Sequence, residues 1–336
     1  MWHWFVRRPV TQHEVPHPAR VKLRSQIGIF TVFHWRLIFG TLIVTALVGI
    51  CCLDFYGPRP GIFLLPLAVV GSLLSASEVV NFYSHREHRP IPWVIFGGTL
   101  LTVMLSAAPM LWKVYPNDGP IGRLGWLALG MTASLLLALF GEVRRYKEPG
   151  GVASKLALTV LAIIHAGGLM GFIIQLRLLG GGDWKTDGRW GLVAVVSMIA
   201  VVKVSDIGAY SVGKLFGRTK LAPLLSPGKT WEGMAGGLVA AAITALVLLG
   251  PAVQIMGCPP GKTGLLWALG AATYGLLLAS AGVLGDLTVS LFKRDAGVKD
   301  SSRWIPGFGG VLDILDSLLV AAPVAYVCWL LRLVGP

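Results

Sequence analysis

Residues 191–213 read GLVAVVSMIAVVKVSDIGAYSVG. A helix that crosses hydrocarbon needs about 20 mostly apolar residues, because no backbone donor or acceptor can be left unpaired there. This stretch meets that demand and predicts a membrane-spanning helix. Its two charges, Lys203 and Asp206, fall at i and i+3, with Tyr210 at i+7. All three share one helical face, so a buried ammonium and carboxylate can neutralise each other. An ionised group at membrane depth is costly enough to mark a partner or a site.

Working outward, eight more stretches have the same character: 37–53, 61–80, 93–112, 124–141, 156–176, 234–256, 264–285 and 312–333. Turn signals separate them, among them Gly57-Pro58, Pro90 and Pro92, Pro116-Asn117-Asp118-Gly119, Pro149-Gly150-Gly151, Gly180-Gly181-Gly182, Pro259-Pro260-Gly261 and Pro306-Gly307. The expected fold class is all-α, a polytopic integral-membrane helical bundle of about nine transmembrane helices. Composition agrees: 54% of the 336 residues are apolar and 13% charged, against about 25% charged in a soluble domain. Those values exclude a soluble globule and a disordered chain.

The net charge of +13 points to nucleic acid only if the cations gather on a polar domain, and they do not. They alternate between loops instead. The N-terminal tail and the loops after the second, fourth, sixth and eighth spans hold 20 Lys and Arg, the opposite side 8, and Lys203 lies within a span. The bias puts the N-terminus in the cytoplasm and the C-terminus outside, with the lipid bilayer as a partner. The first 36 residues, with Trp2, Trp4 and Trp35 as candidate interfacial anchors, lack the apolar core of a cleaved signal. Cys51, Cys52, Cys258 and Cys328 have no metal-ligand or disulfide spacing and are expected to be small core residues. Three regions follow: a cytoplasmic tail, 1–36; N-terminal spans, 37–190; and a C-terminal catalytic region, 191–336.

Asp206, Asp286, Asp313 and Asp316 all fall at or near the cytoplasmic boundary, next to basic loops. Glu78, with no motif around it, reads as an acid snorkelling at the end of the second span. Between Lys203 and Glu232, the cations Lys214, Arg218, Lys220 and Lys229 form a candidate anion pocket. Gly228-Lys229-Thr230 resembles the end of a Walker A loop, but Pro223 stands where that loop needs glycine, and no strand is expected before it. In the second polar segment, 285–317, Asp313 and Asp316 lie three apart on the opening turn of the last span. Oxygen ligands at that spacing suit Mg²⁺, which takes one or two carboxylates, waters and substrate phosphates. The glycine-rich turn through Gly309 and Gly310 lets the backbone approach a ligand closely, and Lys293, Arg294, Lys299 and Arg303 add positive charge.

Carboxylates for a divalent ion, two cation clusters and a membrane surface together describe phosphoryl or nucleotidyl transfer on a lipid, chemistry that rests on positioning and charge neutralisation. No nucleophilic dyad is offered: His165, the last histidine, lies in mid-span and reads as a residue paired within the bundle. A lipid kinase and a transporter remain alternatives. The kinase would move the γ-phosphoryl of CTP to a polyprenol. A carrier would be expected to show paired broken helices in two related halves, and no such repeat is visible.

Both polar segments resemble the phosphatidate cytidylyltransferases, the CDP-diacylglycerol synthases of bacteria. Ser290, Lys293, Arg294, Lys299, Asp300, Pro306, Gly307, Gly309, Gly310, Asp313 and Asp316 match that family's last motif in register. Asp206, Ala209-Tyr210, Gly213, Phe216-Gly217, Ser226-Pro227 and Lys229-Thr230-Trp231-Glu232-Gly233 are similar to its upstream motif. The resemblance implies an enzyme of the bacterial inner membrane that transfers CMP from CTP to phosphatidate and releases pyrophosphate. It also implies Mg²⁺, with a second, monovalent cation such as K⁺. Asp286 and Asp313 would be the principal metal ligands, with Asp316 beside them. The basic and polar residues of both motifs, Tyr210, Ser226 and Thr230 included, would hold the CTP and lipid phosphates. A homodimer is compatible with the resemblance. Phe308, Ile314, Gly228 and Val289 depart from the family pattern, which has His, Arg, Lys and Glu there.

Overall fold

The computed structural model describes residues 38–84, 89–112, 121–180, 188–252, 264–299, 301–302 and 309–335. The N-terminal tail with its tryptophans, Cys258, Asp300, Arg303, the Pro306-Gly307-Phe308 turn and the predicted turns at 116–119, 181–182 and 259–261 lie outside the described residues.

Apolar composition and helical hydrogen bonding put every predicted span on a helix. They are α1 (Ile38–Phe55), α2 (Leu65–Tyr83), α3 (Pro92–Ser106), α4 (Arg123–Arg145), α5 (Val152–Arg177), α6 (Arg189–Phe216), α7 (Trp231–Val247), α8 (Gly264–Asp295) and α9 (Val311–Leu330). Among the described residues, eight helical segments are long and apolar enough to cross a membrane, and α3 is a shorter apolar helix. The chain is a polytopic helical membrane protein.

The boundaries differ from expectation for local reasons. Helix α3 stops at Ser106, and the chain passes into a short 3₁₀ turn, Ala108–Leu111, around Pro109, whose ring removes an amide donor. Helix α5 carries a π-helical turn at Ile164–Gly168. Helix α8 is 32 residues long, about 48 Å at 1.5 Å per residue, against about 30 Å of hydrocarbon. Its last turns therefore carry Lys293 and Arg294 beyond the apolar layer. Between α6 and α7, where a loop was expected, stands an antiparallel hairpin, β1 (Lys220–Ala222) and β2 (Ser226–Thr230), with Lys220 opposite Thr230. A strand, β1, does precede Gly228-Lys229-Thr230, yet these residues lie within β2 rather than in a phosphate-cradling loop. Thr230 then caps α7 by accepting the Gly233 amide at 3.1 Å.

Small residues bring the C-terminal helices together, the usual device where the solvent is itself apolar. A Cβ at Gly208 of α6 would lie 2.7 Å from the Ala240 Cβ of α7, and one at Gly285 of α8 would overlap the Asp316 carbonyl of α9. Behind these contacts Met198, Tyr274, Leu278 and Trp329 are fully buried. The Tyr274 hydroxyl lies 3.1 Å from Ser197 Oγ and accepts the Trp329 indole N–H at 3.3 Å. A second core joins α2, α3 and α5 to α8 and α9 through Val79, Ile95, Ala162, Val289 and Leu312. Cys328 is buried as expected, whereas Cys51 is half-buried and Cys52 exposed on α1. A thiol tolerates a hydrocarbon surface as well as a core.

Candidate active site

The carboxylates of the C-terminal half converge where α6, α8 and α9 meet β2. Lys203 on α6 donates to the Ile314 carbonyl and to Ser317 Oγ of α9, each at 3.0 Å, and lies 3.5 Å from Asp206. Ser317 in turn donates to Asp206 at 3.3 Å. The Lys203–Asp206 pair predicted from helical spacing is present, but both side chains are about two-fifths exposed (37% and 43%) rather than buried, because the cleft opens here. Opposite them Lys229, at the end of β2, holds Asp286 of α8 at 2.7 Å. Asp316 is buried on the first turns of α9, where its carbonyl packs against Gly285, the neighbour of Asp286, and the adjacent Ser317 bonds Lys203 and Asp206. Three acids and two lysines from four elements thus form one group.

Asp313 sits one helical turn away and is held differently. Its Oδ1 accepts from Lys293 of α8 at 2.8 Å, and its Oδ2 accepts from the Ser301 hydroxyl and, at 3.4 Å, from the Gly310 amide. It therefore also helps to cap its own helix. Asp286 and Asp313, expected as the principal ligand pair, each carry a lysine of their own, and Asp286 shares its surroundings with Asp206 and Asp316.

Glu78 is the acid that sequence reasoning missed. It is buried on α2, and its carboxylate accepts the Val311 amide at 2.8 Å, the Leu312 amide at 3.1 Å and the Ser302 hydroxyl at 3.1 Å. It is no snorkelling charge: it satisfies the orphan amides at the start of α9 and lies at the positive end of the helix dipole. Gly310 is what lets it in, since a Cβ there would collide with the carboxylate. The one signal available was a formal charge within an apolar stretch.

Around the rim, Tyr210, Lys214, Arg218, Lys220, Arg294 and Lys299 are exposed. Lys214 lies over the Tyr210 ring at 5.7 Å, Arg294 donates to the Leu225 carbonyl of the hairpin turn at 3.3 Å, and Glu232 accepts the Arg218 and Thr219 amides at 3.1 Å, pinning the chain between α6 and β1. Ser226 is half-buried on β2. His165, expected to be paired in the bundle, is buried on the π-helical turn with its ring edge-to-face against Phe292, centroids 5.5 Å apart; among the described residues Nε2 has no hydrogen-bond partner.

Among the described residues the cleft offers carboxylate and hydroxyl oxygens beside ammonium and guanidinium groups, a set suited to a hard cation and phosphate groups. Among the described residues, no group of three His, Cys, Asp or Glu is placed to hold a metal ion by itself. Carboxylates of this kind would hold an ion such as Mg²⁺ only together with waters or a ligand's phosphates.

Fold and site together define a polytopic membrane protein whose C-terminal helices gather carboxylates and lysines into one cleft. The chain belongs to the cytidylyltransferase family, whose model matches residues 24–331. It is 30% identical over 324 residues to a phosphatidate cytidylyltransferase of Mycobacterium bovis, covering 94% of this chain and 96% of that one. It is 34% identical over 239 residues to a phosphatidate cytidylyltransferase of Pseudomonas aeruginosa (59% and 84% covered) and 42% identical over 151 residues to one of Haemophilus influenzae. The last match spans 45% of this chain and about half, 49%, of its relative.

Proposed function

We propose that the protein transfers CMP from CTP to phosphatidate at the cytoplasmic face of a bacterial inner membrane, giving CDP-diacylglycerol and pyrophosphate. The observation that carries this reading is the convergence of Asp206, Asp286 and Asp316 with Lys203 and Lys229 in a chain of this family. The excess of Lys and Arg on the loops that bear the cleft supports a cytoplasmic position for it and for the N-terminus.

A phosphatidate oxygen attacks the α-phosphorus of CTP, a new P–O bond forms, and the bond to the β-phosphate oxygen breaks with pyrophosphate as leaving group. The nucleophile is a phosphate monoester whose second pKa is about 6, so it is largely dianionic at neutral pH and needs no general base. The chain's task is to bring two polyanions together. Lys229 and Lys293, with Arg294, Lys214, Arg218, Lys220 and Lys299 at the rim, neutralise phosphate charge. Tyr210, Ser226, Thr230, Gly309 and Gly310 are the further groups that would contact the substrates, although the Thr230 hydroxyl already accepts the Gly233 amide and Gly310 faces Glu78. Asp286, Asp313 and Asp316 are the groups that would hold Mg²⁺, which supplies charge neutralisation at the phosphates. A monovalent cation such as K⁺ is a further requirement to be tested by omission.

CTP labelled at the α-phosphate, offered with phosphatidate in detergent with and without Mg²⁺, tests the reading. Label recovered in lipid supports it. Label left in CDP, with phosphate moved to a lipid alcohol, would show a kinase instead.

A further inference from the structure

An apolar cavity of about 360 Å³ lies among α1, α2, α5, α6 and α9, within the usual size range of ligand pockets. One end of it is the first turn of α9, where Val311 and Ile314 line the wall. The Ile314 carbonyl is the group that Lys203 binds on the opposite side, and Asp313 lies between these two wall residues in the chain. The cavity then follows α9 to Leu318, about 10 Å along the helix at 1.5 Å per residue. Among the described residues that line it, the one charged side chain, Arg177, is neutralised by Asp54 in a buried pair at 2.6 Å. No polar demand is left for a ligand to meet.

Helix α1 lies on the outer side. Ile43, Ala46, Leu47 and Ile50 form a stripe at i, i+3, i+4 and i+7 facing the cavity, while Leu42, Val44 and Val48 on its other faces are exposed. Helix α1 thus covers part of a cavity that is otherwise open toward the bilayer hydrocarbon. We propose that this cavity holds one acyl chain of the lipid substrate and so sets its chain-length preference. The assignment rests on the phosphatidate reading above. A lipid whose phosphate lies against the acids and lysines at the start of α9 has its glycerol at the level of Ile314, and a chain leaving that point meets a wall of apolar side chains that needs neither water nor a hydrogen bond. Apolar burial, at about 0.8 kcal/mol per methylene, supplies the selectivity.

The test compares dioctanoyl and dioleoyl phosphatidate as substrates in mixed micelles. Ala68→Phe and Gly71→Leu, both on the cavity wall of α2, are expected to lower the dioleoyl-to-dioctanoyl ratio of kcat/KM about tenfold, the scale of two methylenes excluded. Ile199→Ala enlarges the cavity without a steric demand and is expected to raise the ratio, so it decides even where a filling variant fails to fold. Val70→Phe, exposed on the same helix and off the wall, is expected to leave the ratio unchanged. Transfer with an unaltered ratio in all three cavity variants overturns the assignment and leaves only ordinary bilayer lipid there. No transfer to any phosphatidate by the unmodified protein overturns the cytidylyltransferase reading together with it.

Discussion

The Glu78 carboxylate accepts the Val311 amide at 2.8 Å across 233 positions of sequence. One buried acid from α2 thereby fixes the height and direction of the helix that carries Asp313, Asp316 and Ser317. Lys203, bonded to the Ile314 carbonyl and Ser317 Oγ, ties the same helix to α6. The acids of the cleft are positioned by two side chains that are themselves charged and held.

Removing the Glu78 acceptor leaves two amides of α9 without a partner inside the protein. Glu78→Ala is expected to lower stability by about 2 kcal/mol or more, since an unsatisfied buried donor costs about 1–3 kcal/mol. Gly310→Ala displaces the same carboxylate and should reproduce the loss. The two losses should not add, because both remove one interaction. Thermal unfolding of the detergent-solubilised protein reads all three variants, and strict additivity would show that the carboxylate and Gly310 act separately.

Asp286→Asn and Asp313→Asn each leave a lysine without its anion and remove an oxygen charge from the cleft. Both are expected to abolish CTP-dependent lipid product while expression is retained, a fall of at least about a hundredfold, the scale seen when one preorganised electrostatic group is lost from an active site. Full turnover by either variant would remove that acid from the site.

Chelation of divalent ions is expected to abolish CMP transfer without shifting the thermal unfolding midpoint. The reason is that the described residues form no cage that binds an ion alone, so an ion that arrives with nucleotide contributes nothing to the stability of the free protein. A fall in the midpoint of several degrees on chelation would reveal a resident metal.

Far from the cleft, Asp54 and Arg177 clasp α1 to the end of α5, with Asp54 also accepting the Gly61 and Phe63 amides. Arg177→Ala strands a buried carboxylate and is expected to cost about 3–5 kcal/mol, while Asp54→Asn combined with Arg177→Ala should cost less than the two single changes added together. Unfolding midpoints of the four proteins complete the cycle.

The order and number of helices were legible because a span is a local property: each run of apolar residues reports its own solvent. The motif acids and lysines were legible too, since Asp206, Asp286, Asp313 and Asp316 are charges that an apolar stretch does not need. Helix ends were less so. Pro109 shortens α3, and the Thr230 cap starts α7 three residues before the expected span. The hairpin at 220–230 was taken for a loop because its strands are short and polar, without alternation to read.

Residue type and periodicity alone determined that this chain crosses a membrane repeatedly and carries acids and basic residues of two polar segments in its C-terminal half. Only the folded arrangement decided which charges meet: Asp286 with Lys229, Asp313 with Lys293, and Glu78 with the start of α9. Burial in hydrocarbon follows from a side chain's own chemistry and can be read one segment at a time. Pairing depends on the rotation and depth of each helix against the others, which small contacts such as Gly285 against Asp316 set across long sequence separations.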